Sequence, residues 1–491
     1  MSLTCSQLIE RNGTLPVAAV ASEVNARLRN VPRLVVTAPP GAGKSTLLPL
    51  TVLADITDGG KVIMLEPRRM AARQVAERLA NNAGGTVGDM VGYRMRFETR
   101  VSAATRIEVV TEGIMERMLV SDPTLDGVSA VIFDEFHERS LSSDLCLAFV
   151  LEAQRILRPD LRIVVMSATI DTAVICRALE APCVECPGRM HDVEVIYGEE
   201  TEPRRCAADV ARAVAVAHGR HDGDILAFLP GQAEIMRCRD MLVGQLGDTE
   251  ILPLYGMLSA AEQRHTLLHS ADGRRKVVLA TPVAETSLTI EGVRVVVDSG
   301  LYRTPVYNPS TGLSRLTTMR VTLDMARQRA GRAGRVAAGV CYRLWSRGTE
   351  ARMPECRRPE VLDADLVPTV LAIAARGEGD ATSLPWLTPP PAGHLRQAVD
   401  MLRLLGAIDT AGAVTEHGRR LAALPSHPRI SQMLVSAPDD AARALACDIA
   451  ALLEDKDPLP DAGTADINTR VTLLRDCLLY TSDAADDLLC V

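Results

Sequence analysis

Lysine is almost missing from this 491-residue chain. Lys44, Lys61, Lys276 and Lys456 are all there is, so nearly every positive charge is an arginine. A bias of that kind points to a GC-rich coding sequence rather than to chemistry. No window approaches eighteen uninterrupted apolar residues, which removes a transmembrane helix and a membrane partner. The first eleven residues show no basic-then-apolar leader, so cytoplasm is the expected compartment. A net charge of −8 excludes a histone-like protein that holds nucleic acid by bulk charge, but not one whose basic groups line a single channel. The twelve cysteines form no framework. Cys183 and Cys186 make a CxxC pair, but no second pair or Cys/His partner stands at zinc-ligand spacing, so reduced buried thiols are expected.

What is present is a globular composition, 47% hydrophobic and 24% charged, with length for about three or four domains. The first half alternates short β-rich runs (33–37, 62–65, 107–111, 130–133 and 163–166) with longer helical stretches, the signature of a parallel sheet with crossover helices. A second series follows CPGRMH (186–191), a linker: runs 193–197, 225–229, 276–280 and 293–297. Segments 301–307 and 313–318, joined by NPSTG (308–312), predict a β-hairpin. From about Ser346 the pattern turns helical, with proline punctuation at LTPPP (387–391). The stretch CLLYTSDAADD (477–487) resembles the in-frame translation of a transposon-end sequencing adapter, so 477–491 is set aside from fold reasoning.

Two segments carry chemistry. APPGAGKST (38–46) follows the first run directly and matches a phosphate-binding P-loop, except for Ala38 in place of the first glycine. Gly41 and Gly43 let backbone N–H groups wrap phosphates at the positive end of the next helix. Lys44 would reach the β- and γ-phosphates of ATP, Ser45 would ligate Mg²⁺, and Thr46 completes the motif. VIFDEFH (131–137) is an apolar strand ending in two acids, about ninety residues later. Asp134 would hold Mg²⁺ through water, and Glu135 would orient or deprotonate the attacking water.

With those two in place, the DEFH segment resembles motif II of the DEAH/RHA helicases of superfamily 2, and the other motifs follow in order. LEPRRMAA (65–72) is similar to motif Ia, TEG (111–113) to Ib and SAT (167–169) to III. FLPG (228–231) takes the place of IV. TPVAETSLT (281–289) is similar to V and QRAGRAGR (328–335) to VI. The hairpin between V and VI is a further family feature, and the resemblance covers about residues 15–476.

The resemblance implies an α/β fold: two tandem RecA-like P-loop domains (1–190, and 191–346 with the hairpin 301–318), a winged-helix-like domain (347–416) and a partial helical ratchet-like domain (417–476). LPSHPR (424–429) marks the last of these, and His427, between prolines, reads as structural. Family members normally extend well past this point, so distal domains are expected to be missing. Gln328 would position water, while Arg332 and Arg335 would act as arginine fingers on the γ-phosphate. Arg78 would stack on the adenine. Arg68, Arg69, Thr111, Gly113, Ser287 and Thr289 would contact single-stranded RNA or DNA, mostly at phosphates and sugars. His137, Ser167, Thr169 and Thr281 would couple the two activities. A monomer tracking 3′ to 5′ is implied.

Two departures stand out. Pro282 occupies a place in motif V where relatives carry asparagine, removing a backbone donor. DMAR (324–327) replaces a Ser/Ala-rich run before motif VI. Other function classes are a P-loop ATPase or GTPase acting on proteins or transport, and a nucleic-acid-binding ATPase that remodels complexes without processive unwinding. A non-enzymatic nucleic-acid-binding module would require a decoupled motor. Neither an NKxD guanine motif nor an LSGGQ transporter signature is present.

Overall fold

The computed structural model describes residues 4–168, 172–188, 191–268, 272–285, 290–308, 311–454, 457–459 and 463–476. The expected tail, 477–491, lies outside them. The described residues divide into two compact units, one formed by 1–364 with 384–390, the other by 365–383 with the residues from 391 on.

The first unit holds two sheets. Strands β1 (Arg33–Thr37), β2 (Lys61–Leu65), β3 (Val91–Met95), β4 (Glu98–Arg100), β5 (Ile107–Val110), β6 (Val128–Phe133), β7 (Arg162–Ser167) and β8 (Cys183–Glu185) form one, in the order β4-β3-β5-β2-β6-β7-β1-β8. All its pairs are parallel except β3 with β4. The second sheet takes β9 (Val193–Tyr197), β10 (Asp224–Phe228), β11 (Glu250–Leu254), β12 (Lys276–Ala280), β13 (Val293–Asp298) and, beyond the hairpin, β16 (Gly339–Arg343). Its order is β11-β12-β10-β13-β16-β9. The hairpin strands β14 (Leu301–Asn308) and β15 (Leu313–Arg320) pair only with each other.

The central strands are runs such as VSAVIF, IVVM and KVVLA, buried on both faces because helices cover a parallel sheet from both sides. Register then places the site. Thr37 pairs with Ser167, and Leu65 with both Val110 and Phe133. The segments that follow β1, β2, β5, β6 and β7 therefore leave the sheet at one level and along one edge, where ligands of open α/β sheets bind.

In the second unit, helices Val367–Ala375, Ala392–Leu404 and Glu416–Ala422 accompany an antiparallel bridge between Ile408 and Val414. His427 caps the helix Pro428–Val435: its Nδ1 accepts from the Arg429 N–H at 3.2 Å, and its Nε2 lies 3.2 Å from Asp365.

Candidate active site

The P-loop connects β1 to the helix Lys44–Ala54. Gly41 and Gly43 both take left-handed backbone angles, φ 84° and 88°, which a side chain would strain. At Gly43 a Cβ would also stand 2.9 Å from Leu15. Lys44 opens the helix almost fully buried, with its Nζ 2.9 Å from Glu135 Oε1 and 3.9 Å from Asp134 Oδ1. The Thr46 hydroxyl turns back to the Gly43 carbonyl at 3.3 Å.

Asp134 and Glu135 sit just past the end of β6. The Asp134 N–H still donates to the Leu65 carbonyl, continuing the ladder by one residue. Glu135 then adopts φ 47°, a conformation non-glycine residues avoid, and its N–H donates to Asp134 Oδ1 at 2.9 Å. Burial pushes the Asp134 carboxyl up; Lys44 opposes this, Glu135 adds to it, and the Ser45 hydroxyl bonded to Asp134 opposes it again. For Glu135 burial acts in the same direction, but Lys44 and His137 overcome it and hold the carboxyl low. Asp134 Oδ2 and Glu135 Oε2 are buried without a hydrogen-bond partner among the described residues. Buried acceptors left in that state fit a cation and its water shell, so Ser45 and Asp134 suit Mg²⁺.

His137, behind the two acids, is buried and held toward neutrality by that burial. Its Nδ1 accepts from the Ala168 N–H at 3.3 Å and stands 3.4 Å from Glu135 Oε2. Ser167, buried at the end of β7, accepts the Ala38 N–H at 3.2 Å through its carbonyl. The segment after β7 is thereby tied both to the P-loop and to the acidic strand end.

The second sheet's domain supplies arginines. Gln328, Arg329 and Arg332 follow one another along and just beyond the helix Leu323–Gly331, all buried. Both amide atoms of Gln328 have no hydrogen-bond partner among the described residues. Arg332 Nε donates to the Glu285 carbonyl at 3.0 Å. Arg335 reaches the P-loop itself: a Cβ at Gly41 would stand 3.9 Å from its guanidinium. Burial pulls Arg332 well below its ordinary pKa, aided by Arg335, and brings Arg335 down to about 10 against the attraction of Glu135. A guanidinium does not give up its proton in a protein, so both arginines stay cationic in this buried setting. Such guanidinium forks suit the oxygens of a polyphosphate.

Other expected residues are placed differently. Arg68 points inward: its guanidinium bonds the Pro282 and Val283 carbonyls, each at 3.0 Å, and pairs with Glu138 at 2.8 Å. Arg69 and Gly113 are exposed, while Thr111 is buried as the N-cap of the helix Glu112–Ser121. Arg78 is exposed on the helix Arg69–Ala83. Thr281 is half-buried, its N–H on the Leu254 carbonyl at 3.1 Å. Thr169, Ser287 and Thr289 lie outside the described residues. Cys183 is half-buried and Cys186 buried, and the described residues hold no cluster that could ligate a metal through His, Cys, Asp and Glu.

Three features escaped the sequence. Glu285, fully buried, pairs with Arg329 Nε at 3.1 Å and with Arg357. An acid inside an apolar motif V, in a chain whose motif VI is crowded with arginines, was the available signal. Arg329 also bonds Asp298 at 2.8 Å and lies over the Phe228 ring, a structural commitment that sets it apart from its two neighbours. Beside Arg69, whose guanidinium bonds the Arg96 carbonyl at 3.0 Å, Phe97 is 87% exposed at φ 67° with Arg96 against its ring. An exposed aromatic on a strained turn among arginines is suited to stacking on a base.

Comparison with known proteins points to the same two-domain fold. Residues 20–176 match the DEAD/DEAH box helicase family, and 208–337 the helicase conserved C-terminal domain. The chain is similar to the ATP-dependent RNA helicase HrpB of Escherichia coli (strain K12), 45% identical over 456 residues, covering 92% of this chain and 56% of that protein. It is similar to the probable ATP-dependent RNA helicase DHR2 of Saccharomyces cerevisiae, 33% identical over 461 residues, covering 91% and 63%. The crystal structure of the Escherichia coli DEAH/RHA helicase HrpB superposes with a TM-score of 0.87 at 44% identity, covering 93% of this chain and 58% of that one. The chain thus spans little more than half the length of the curated relatives it matches.

Proposed function

The chain belongs to the DEAD/DEAH box helicase family, and on that footing we propose that it is an ATP-driven helicase or translocase acting on single-stranded RNA or DNA. The observation that carries this is the meeting of two domains at one cleft: Lys44 and Glu135 from the first, and from the second Arg335 beside Gly41, with Arg332 close enough to Glu135 to feel its charge. The names of its relatives favour RNA. Movement from 3′ to 5′ and a monomeric state belong to the same proposal and rest on the sequence resemblance, and a cytoplasmic setting is proposed with them.

The P-loop amides and Lys44 bind the phosphates, and Arg332 and Arg335 stabilise charge that develops on the γ-phosphoryl group. Glu135 orients the attacking water and takes its proton, with Gln328 as second orienting group. Ser45 and Asp134 would hold Mg²⁺, which would supply charge neutralisation for the phosphates. His137, bonded to Ala168 beside Ser167, links this chemistry to the strand-contacting edge. Arg69, Arg96, Phe97 and Gly113 offer an exposed surface for the strand. A second reading, remodelling without processive unwinding, is favoured by one observation: Arg68 clasps the carbonyl of Pro282, fixing motif V at its departure from the family pattern.

Steady-state ATP hydrolysis, with and without poly(U) RNA or single-stranded DNA, tests the proposal. Stimulation by one polymer is expected, with a loss of about 100-fold or more in Glu135→Gln. Hydrolysis indifferent to both polymers would sink the helicase reading.

A further inference from the structure

Beyond motif VI, residues 353–362 run back across the first unit as a strap. Its Pro354 and Glu355 carbonyls accept the Leu323 and Asp324 N–H groups, at 2.9 and 3.0 Å, satisfying donors at the start of the helix that carries Gln328 and Arg329. Met353 packs with Val321, Met325, Ala326 and Trp345 in a small core beneath that helix. Further on, the Glu360 N–H donates to the Arg139 carbonyl at 3.0 Å, and its carboxylate accepts the Leu141 N–H at 2.8 Å. The strap therefore fastens the arginine-bearing helix at one end and the loop after His137 at the other.

Between these anchors, Arg357 reaches Glu285. The Arg357 guanidinium bonds Glu285 Oε1 and lies 3.6 Å from Asp324, while Arg329 holds Glu285 Oε2 from the opposite side. The main-chain carbonyl of the same Glu285 receives Arg332 Nε at 3.0 Å. One residue thus has its side chain clamped by two arginines and its backbone oxygen holding a third. The carboxylate clamp on Glu285 therefore fixes the residue whose main-chain oxygen aims Arg332.

We propose that Arg357, which lies outside every helicase motif, is a positioning residue for ATP hydrolysis: by clamping Glu285 it fixes the carbonyl that orients Arg332. The inference rests on Arg332 acting at the γ-phosphate, as proposed above. Arg357 touches neither phosphate nor water; it works through Glu285. Because Arg329 continues to neutralise Glu285 when Arg357 is removed, the buried carboxylate is not orphaned, and the Arg357→Ala chain is expected to fold.

The test is Mg²⁺-ATP hydrolysis by the full chain and by Arg357→Ala, Arg357→Lys, Arg332→Ala and the Arg332→Ala/Arg357→Ala double variant, with thermal melts alongside. A loosened finger costs turnover and leaves ground-state binding alone. Arg357→Ala is expected to lose about tenfold in kcat with KM for ATP within about twofold. Arg357→Lys, which keeps the charge, recovers part of the loss. The double variant is expected to be no slower than Arg332→Ala, since the two residues act in series. Losses that multiply in the double variant, or an unchanged kcat in Arg357→Ala beside a large loss in Arg332→Ala, overturn the inference while leaving the arginine finger standing. Normal turnover in Arg332→Ala removes the finger itself and the inference with it. Should Arg357→Ala melt early, Arg357→Lys against Arg332→Ala/Arg357→Lys supplies the same comparison.

Discussion

At the scale of single residues, partners decide roles that motif position does not. Arg68 stands where a strand contact is expected, yet its guanidinium is occupied by two motif V carbonyls and Glu138, which makes it a cross-domain tie. Arg68→Ala is expected to cut polymer stimulation of ATP hydrolysis at least fivefold, about 1 kcal/mol of coupling, while changing basal turnover less. Equal loss of basal and stimulated rates would refute a coupling role. Glu112, in the TEG segment, turns to the Ser140 hydroxyl. Burial pushes its carboxyl up to about 8; Ser140 works against this, and the like charges of Glu138, Glu360 and Glu116 add to it. The folded state keeps a proton that the unfolded chain gives up near the ordinary value of 4.5. The stability tied to that proton is whole below this lower value and is lost as pH rises through about 8. Melting temperature should therefore fall as pH rises from about 4.5 to about 8, and Glu112→Gln should flatten the fall. Identical pH profiles for the two proteins would exclude the effect. That Lys44, Asp134 and Glu135 would come together was legible because P-loop and strand-end acid follow from local spacing. Arg357 and Glu285 were not, because their pairing spans 72 residues and leaves no local mark.

At the scale of elements, burial on both faces made the central strands readable. β1, β9 and β12 fall on the residues expected, and the others shift at their ends by one or two. Strands that went unread are short, near an edge, or broken in pattern. β11 carries Pro253 and lies at an edge of the second sheet, where a missing N–H is tolerated. β3 has Gly92 and Arg94 among its apolar residues, and β8 is three residues long. The hairpin was readable from its turn chemistry, but its anchor was not. Gly300 joins β13 to β14 at φ 71°, and a Cβ there would stand 2.7 Å from the fully buried Trp345 ring. Gly300→Ala is expected to cost roughly 2–4 kcal/mol, from left-handed strain together with overpacking. Urea unfolding measures it, and a change below about 0.5 kcal/mol would mean the junction relaxes freely.

At the scale of the whole molecule, a net charge of −8 coexists with arginines gathered at one cleft and along one exposed edge. The proposed binding of nucleic acid along such an edge would be electrostatic and local. Polymer affinity should fall steeply with salt and differ little between homopolymers and mixed sequence of the same sugar. Fluorescence anisotropy at several salt concentrations reads both. A marked preference for one base sequence would require contacts to base edges. The order of the motifs made the two-domain plan of the first unit legible. The described residues contain no helix long and apolar enough to cross a membrane.

The scarcity of lysine gives the ATP site a chemical clock. Among the described residues the side-chain amines are Lys44, Lys61 and Lys276; Lys61 is 39% exposed, while Lys44 and Lys276 are 4% and 1% exposed. Lys276 is held by main-chain carbonyls in the second sheet's domain, whereas Lys44 is held by the Glu135 carboxylate within the first. An acylating reagent should therefore modify Lys61 first, and Lys44 only at the pace at which its contact with Glu135 opens. Mass spectrometry of a single peptide would then time that opening.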